Sequence, residues 1–187
     1  MKSLFRKIHN FFFCLRYPFY KSRNVWSDKF LGYSCTWYDA IPEGWRIAFG
    51  KQLSKELRAA LKKDKLLRTF RFMDIKEKWG ELCLYNNGVR DNTDRVITKY
   101  EKLSTAYCIN CGKPVRYITQ GYILYICEDC ANKKILGKRP ESRRLTIDDV
   151  PETYVYTKGH EERRVDYKEE YGLDFIKLWG LNEEEKK

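Results

Sequence analysis

Cys108-Ile-Asn-Cys111-Gly112-Lys113-Pro114, followed after a β-rich stretch by Cys127-Glu-Asp-Cys130, is the part of the chain that decides its fold. Two CxxC pairs stand fifteen residues apart. Each pair brings two thiolates to one edge of a tetrahedral ion, and the interval is long enough to turn back as a hairpin. Thiolate-rich tetrahedral sites suit zinc or iron–sulfur chemistry, and two isolated CxxC pairs are the usual zinc form. Four cysteines close the coordination sphere. One structural Zn2+ held by Cys108, Cys111, Cys127 and Cys130 is therefore expected, with no open position for substrate.

The neighbouring residues support that reading. Gly112 follows the first pair, where a metal knuckle needs backbone freedom. Val115–Ile118 and Tyr122–Ile126 read as strands, with Thr119-Gln120-Gly121 as the turn between them. Residues 131–136 read as a helix. A knuckle, a hairpin and a second pair that opens a helix resemble the treble-clef zinc finger, with the zinc ribbon as the near alternative. That resemblance covers about thirty residues and implies shape, since such modules serve many functions.

Upstream, Pro42 stands where a helix begins, and an amphipathic helix is expected over 43–63. Trp45, Phe49, Leu53, Leu57, Ala60 and Leu61 form its buried stripe. Lys51, Lys55, Arg58, Lys62 and Lys65 lie opposite, a row of cations with no acid in it. Like charges at this spacing repel, so an all-positive row suggests phosphate contact; a solvated face is the plain alternative. Residues 68–77 and 81–85 read as a hairpin turning at Lys78-Trp79-Gly80. A second helix is expected from Asp91 or Asn92 to Ser104, with Val96, Tyr100 and Leu103 inward.

Trp37-Tyr38-Asp39, Pro42-Glu43-Gly44-Trp45-Arg46, Ala48-Phe49-Gly50, Ile75-Lys76-Glu77-Lys78-Trp79-Gly80 and Tyr100-Glu101-Lys102-Leu103-Ser104 lead in order to Cys108-x-x-Cys111-Gly112-Lys113. This order resembles small zinc-finger proteins encoded by bacteriophages and prophages of gut bacteria, over residues 34–131. The resemblance implies origin and fold unity, and no chemistry.

At the chain's start, Leu4, Phe5, Ile8, Phe11, Phe12 and Leu15 share one face of a helix, with Lys2, Arg6 and His9 away from it. Such a helix could lie on a membrane surface or dock a partner; the plainer expectation is that it packs on its own core. Toward the other end, Lys133, Lys134, Lys138, Arg139, Arg143 and Arg144 form a second basic cluster, either a clamp on a nucleic-acid backbone or an exposed linker. Residues 154–156 read as a short strand and 166–181 as an amphipathic helix. That helix either completes the core or folds over the basic surface to regulate it.

Composition sets the limits. The 187 residues carry a formal charge of +11, with twelve acids against seven Lys and Arg in residues 148–187 and +16 before them. A zinc tetrathiolate lowers the total by about two. A basic body favours an anionic partner, most commonly nucleic acid. No apolar run is long enough for a membrane span, and leftover thiols at Cys14, Cys35 and Cys83 point to a reducing, cytoplasmic setting.

An enzyme is not expected. His9 and His160 have no catalytic neighbours, the hairpin of 115–126 lacks the histidine of treble-clef nucleases, and Asp148-Asp149 and Glu161-Glu162 read as solvent-facing pairs. The fold expected is α+β: an N-terminal basic aromatic arm (1–33), a helix-and-hairpin core (34–106), a four-cysteine zinc module (107–139) and an acidic extension with a terminal helix (140–187). The expected partner is nucleic acid, DNA or RNA, with Tyr117, Tyr122 or Tyr125 stacking on bases. The alternative is a host protein, bound by a non-enzymatic interaction module.

Overall fold

The computed structural model describes residues 2–133, 139–151, 154–158 and 161–181, and its mixed helices and small antiparallel sheets make it an α+β protein. Helix α1 (Lys2–Arg16) runs through a single 3-10 turn at Pro18–Tyr20 into a long loop. The short α2 (Trp37–Ala40) starts at Thr36, whose amide donates to the Asp39 carboxylate at 2.8 Å. The helix expected over 43–63 is present but has three parts: α3 (Glu43–Trp45), a π turn at Arg46–Gly50, and α4 (Lys51–Lys63). All six residues of its expected stripe are buried, so 3.6-residue spacing located the core face despite the π turn.

Antiparallel strands β1 (Phe72–Lys78) and β2 (Glu81–Asn86) follow. Trp79 and Gly80 both take positive φ in the turn between them, the backbone twist that a two-residue hairpin needs. Then comes α5 (Asp91–Leu103). Its N-terminus is not capped by Asp91 or Asn92 as expected. Asp64, just past α4, accepts instead from the Thr93 amide at 2.7 Å, the Thr93 hydroxyl at 2.6 Å and Asn92 Nδ2 at 2.7 Å. Burial opposes ionisation of Asp64, but these donors outweigh it and hold the pKa below the usual carboxylate range. On α5 Ile97 and Tyr100 are buried, while Val96 and Leu103 are only partly so.

The first apolar cluster joins α3, α4, α5 and the hairpin. It also takes in Tyr17, Phe19 and Tyr20, from the segment expected to be an arm. The second cluster lies around the cysteines. Strands β3 (Tyr117–Thr119) and β4 (Tyr125–Ile126) form the expected hairpin. Helix α6 (Glu128–Asn132) starts earlier than the helix expected over 131–136 and ends before an extended Lys133, residues 134–136 lying outside the described residues. Strand β5 (Ser142–Arg144) adds an unexpected third strand, in the order β4-β3-β5. Strands β6 (Tyr154–Lys158) and β7 (Glu161–Val165) form a separate antiparallel pair.

The helix expected over 166–181 is broken in two, α7 (Tyr167–Tyr171) and α8 (Phe175–Trp179). Gly172 takes φ +69° and ends the first, and Asp174 caps the second through the Lys177 amide. These helices complete the second cluster. Trp179 is fully buried, its Nε1 donates to Thr105 O at 3.2 Å, and its own carbonyl accepts from Arg116 at 2.5 Å.

The expectation for α1 needs correction. Its shared apolar face, Leu4, Phe5, Ile8, Phe11, Phe12 and Leu15, points outward and is exposed. The opposite face docks instead. Asn10 and Cys14 are buried, and the Phe13 ring packs against Tyr17, Tyr20 and Tyr38.

The two clusters meet at a narrow seam. Gly44 N donates to Ile109 O at 2.9 Å, and Trp45 Nε1 donates to Tyr107 O at 2.9 Å. A Cβ at Gly44 would lie 2.1 Å from Cys108 O. Gly44→Ala should therefore destabilise the protein by on the order of 2–4 kcal/mol, read as a lowered denaturation midpoint; an unchanged midpoint would refute the seam.

On α5 the Glu101 carboxylate accepts the Leu84 amide at 2.7 Å. Burial raises its pKa, the amide opposes, nearby Glu81 adds to the rise, and the outcome is about 7. The folded state thus holds this proton more tightly than the unfolded chain does. Stability should fall as pH rises from about 4.5 to about 7 and change no further above that. Denaturation curves of Glu101→Gln should lack this decline.

Candidate metal centre and basic surface

The first knuckle is set by short backbone bonds: Gly112 N donates to Cys108 O at 2.8 Å and Cys108 N to Lys113 O at 2.8 Å. Gly112 takes φ +76°, and a Cβ there would meet Gly44 O at 2.6 Å, so glycine is required twice over. Cys127 stands at the N-cap of α6, which places Cys130 one turn along and back beside it.

The four sulfurs come together. All lie within 4.8 Å of one another, with Cys111–Cys127 at 3.5 Å and Cys130–Cys111 at 3.8 Å. Metal–sulfur bonds of about 2.3 Å in a tetrahedron place sulfurs about 3.8 Å apart. The space fits one ion. It is too small for a multi-iron cluster. Cys108 and Cys127 are buried, and Cys111 and Cys130 are partly so.

Electrostatics favour a cation here. Burial raises the Cys130 pKa strongly, and hydrogen bonding and charge from Cys108 add to it. At Cys111 burial also disfavours the thiolate, but the Lys113 amide and neighbouring thiols donate to it and lower its pKa below the ordinary thiol value. Four thiolates cannot coexist in this volume without a positive ion to offset them.

The basic residues are less unified. Lys51, Lys55 and Lys62 are exposed on the outer face of α4, and Lys65 follows in a left-handed conformation at φ +59°. None of them forms an ion pair among the described residues. Arg58 differs, because it is half-buried and its Nε donates to Arg16 O at 2.8 Å, closing the C-terminus of α1. Glu56, the one acid of α4, turns away to Lys99 on α5 at 2.9 Å. Phe13, Arg16 and Tyr17 line a shared cleft with Lys51 and Lys55, so Arg16 joins the row although its sequence position gave no sign of it. Where the π turn widens the helix, an open cavity of about 620 Å³ is lined by Tyr38, Glu43, Arg46, Lys51 and Gln52, and Arg46 pairs with Asp39 at 3.7 Å.

The second cluster disperses. Lys134 and Lys138 lie outside the described residues, as does His160. Lys133, Arg139 and Arg144 are exposed, but Arg143 holds Asp149 with two bonds of 2.5 and 2.7 Å. Arg143, with burial opposing and Thr146 assisting, lowers the Asp149 pKa to about 2. This explains half of the Asp148-Asp149 pair as structure. Among the tyrosines expected to stack on bases, Tyr125 is unavailable, since its ring stacks on Trp179 at 5.9 Å and leans on Gly80. Tyr117 is partly buried. Tyr122 is exposed, with its hydroxyl bound to Glu77.

No family model, curated protein or solved structure matches the chain.

Purified protein should carry one metal ion per chain, and Cys130→Ser should lose it together with the fold of the second cluster. Elemental analysis beside circular dichroism checks this. A metal-free chain with an unchanged melting transition would contradict it.

Proposed function

We propose that this is a non-enzymatic, phage-type accessory protein that binds nucleic acid, with its four-cysteine centre holding structural zinc. The observation that carries the reading is the run of exposed lysines along one face of α4, which meets no acid among the described residues. Some surface cations meet acids, as in Lys102–Glu81, Lys113–Asp129 and Arg143–Asp149. On α4 the lysines of the row meet none among the described residues, and the helix's single acid is turned aside. Lys51 to Lys62 spans about 16 Å at 1.5 Å per residue, the axial rise of about five base pairs of a duplex. The cavity at the π turn adjoins the row through Lys51, with Glu43 and the Asp39-paired Arg46 on its far wall.

Zinc follows from the donor set, because four thiolates at tetrahedral spacing suit a d10 ion without geometric preference of its own. The resemblance of the motif order to that of phage and prophage proteins supports the accessory role. A cytoplasmic setting accords with an unoxidised four-thiol centre. Among the described residues no helix is long and apolar enough to cross a membrane.

Binding of the zinc-loaded protein to labelled single- and double-stranded oligonucleotides should weaken steeply with salt. Four phosphate contacts give a log–log slope of about −3 to −4. Lys55→Glu with Lys62→Glu should lower affinity and flatten that slope by about two. Salt-independent binding, or none at low salt, would defeat the reading.

A further inference from the structure

α1 presents an unusual surface. Six large apolar side chains stand in one stripe and remain exposed, Phe5 by 71% and Phe12 by 64%. Isolated exposed apolar residues are ordinary, but a contiguous stripe marks an interaction surface. The helix is not free to turn it inward. Its other face is fixed by Phe13 among three tyrosines, by buried Cys14, by Asn10 Nδ2 donating to Tyr33 O at 2.9 Å, and by Arg58 on its last carbonyl.

The apolar surface continues beyond the helix. Phe11 meets Phe12 and Tyr33, each with centroids 5.3 Å apart, and Tyr33 meets Phe30 at 4.8 Å. The same loop carries Leu31 and, at a turn where the Asn24 side chain accepts the Trp26 and Ser27 amides, Trp26, which is 96% exposed. Tryptophan held out at a loop tip suits the boundary between water and hydrocarbon.

Charge identifies the occupant. α1 contains no acid. On a helical projection Lys7 borders the stripe on one side and Arg16 on the other. Lys51 and Lys55, with no ion-pair partner among the described residues, share the cleft at the helix's C-terminal end. An apolar centre rimmed by cations complements a negatively charged lipid surface, where side chains enter the acyl boundary and cations meet headgroup phosphates. Nucleic acid would leave the six apolar side chains without a use. At fifteen residues α1 suits lying in the interface and is too short to cross it.

We infer that α1 and the Trp26 loop dock this protein onto an anionic membrane surface, with the helix lying in the plane of the headgroups. The full-length, metal-loaded chain should float with phosphatidylcholine vesicles containing phosphatidylglycerol and not with phosphatidylcholine alone. Phe5→Ser with Phe12→Ser alters only exposed side chains, so melting and metal content should hold while vesicle affinity drops about a hundredfold. The same variant should bind oligonucleotides as the parent does, which separates this surface from the nucleic-acid reading. Trp26 should be protected from aqueous quenchers only when anionic vesicles are present. Flotation unchanged in the double variant would overturn the inference, as would no flotation with anionic vesicles. So would a lipid-independent dimer or protein complex that consumes the stripe and is abolished by the same substitutions.

Discussion

The contact between the Gly44 backbone and the first cysteine knuckle governs the arrangement of this molecule. Neither glycine at the contact tolerates a side chain, because Gly44 lies under the Cys108 carbonyl and Gly112 lies under the Gly44 carbonyl. A metal ion that holds Cys108 and Cys111 in place thereby also fixes the start of the main helix. The segment that leads into the knuckle, a 3-10 turn at Ser104–Ala106 followed by Tyr107, carries the carbonyls of Thr105 and Tyr107, which receive the indoles of Trp179 and Trp45. Two buried tryptophans, one from each apolar cluster, hang from one short segment. Two small clusters are each weak alone, and sharing a staple lets them cooperate.

The π turn follows from this contact. Within it, Phe49 and Gly50 are buried, with Gly50 against the Tyr38 ring, while Ile47 is left exposed. An extra residue in one turn satisfies both the knuckle and the stripe that begins again at Leu53. The widened turn opens the cavity between Glu43 and Lys51, so the constraint imposed by the cysteine knuckle also shapes the surface proposed to meet phosphate.

Much of this was legible in the residues. Spacing alone identified the four clustered cysteines, since CxxC pairs need no long-range information, and the helical stripe from Trp45 to Leu61 revealed its buried face. Other features depend on contacts between distant parts of the chain. No local pattern tells that Asp64 caps α5, because its partners Asn92 and Thr93 lie far along the sequence. Strand β5 is Ser-Arg-Arg, with no alternation to mark it, and it exists because β3 has an open edge. The break at Gly172 was visible only as a glycine in an otherwise periodic run. α1 shows the sharpest limit: periodicity defines an apolar face but not the side of the protein it occupies. Phe13 and Cys14, outside that face, find the aromatic pocket and turn the larger stripe to solvent.

The central claim is that one ion fastens both clusters through the knuckle seam. Amide hydrogen exchange with and without a chelator tests it most directly. The account predicts that removing the metal deprotects the knuckle, the start of the Glu43–Lys63 helix and the α8 region together. Loss of protection confined to residues around Cys108–Cys130, with the helix and α8 unchanged, would contradict it.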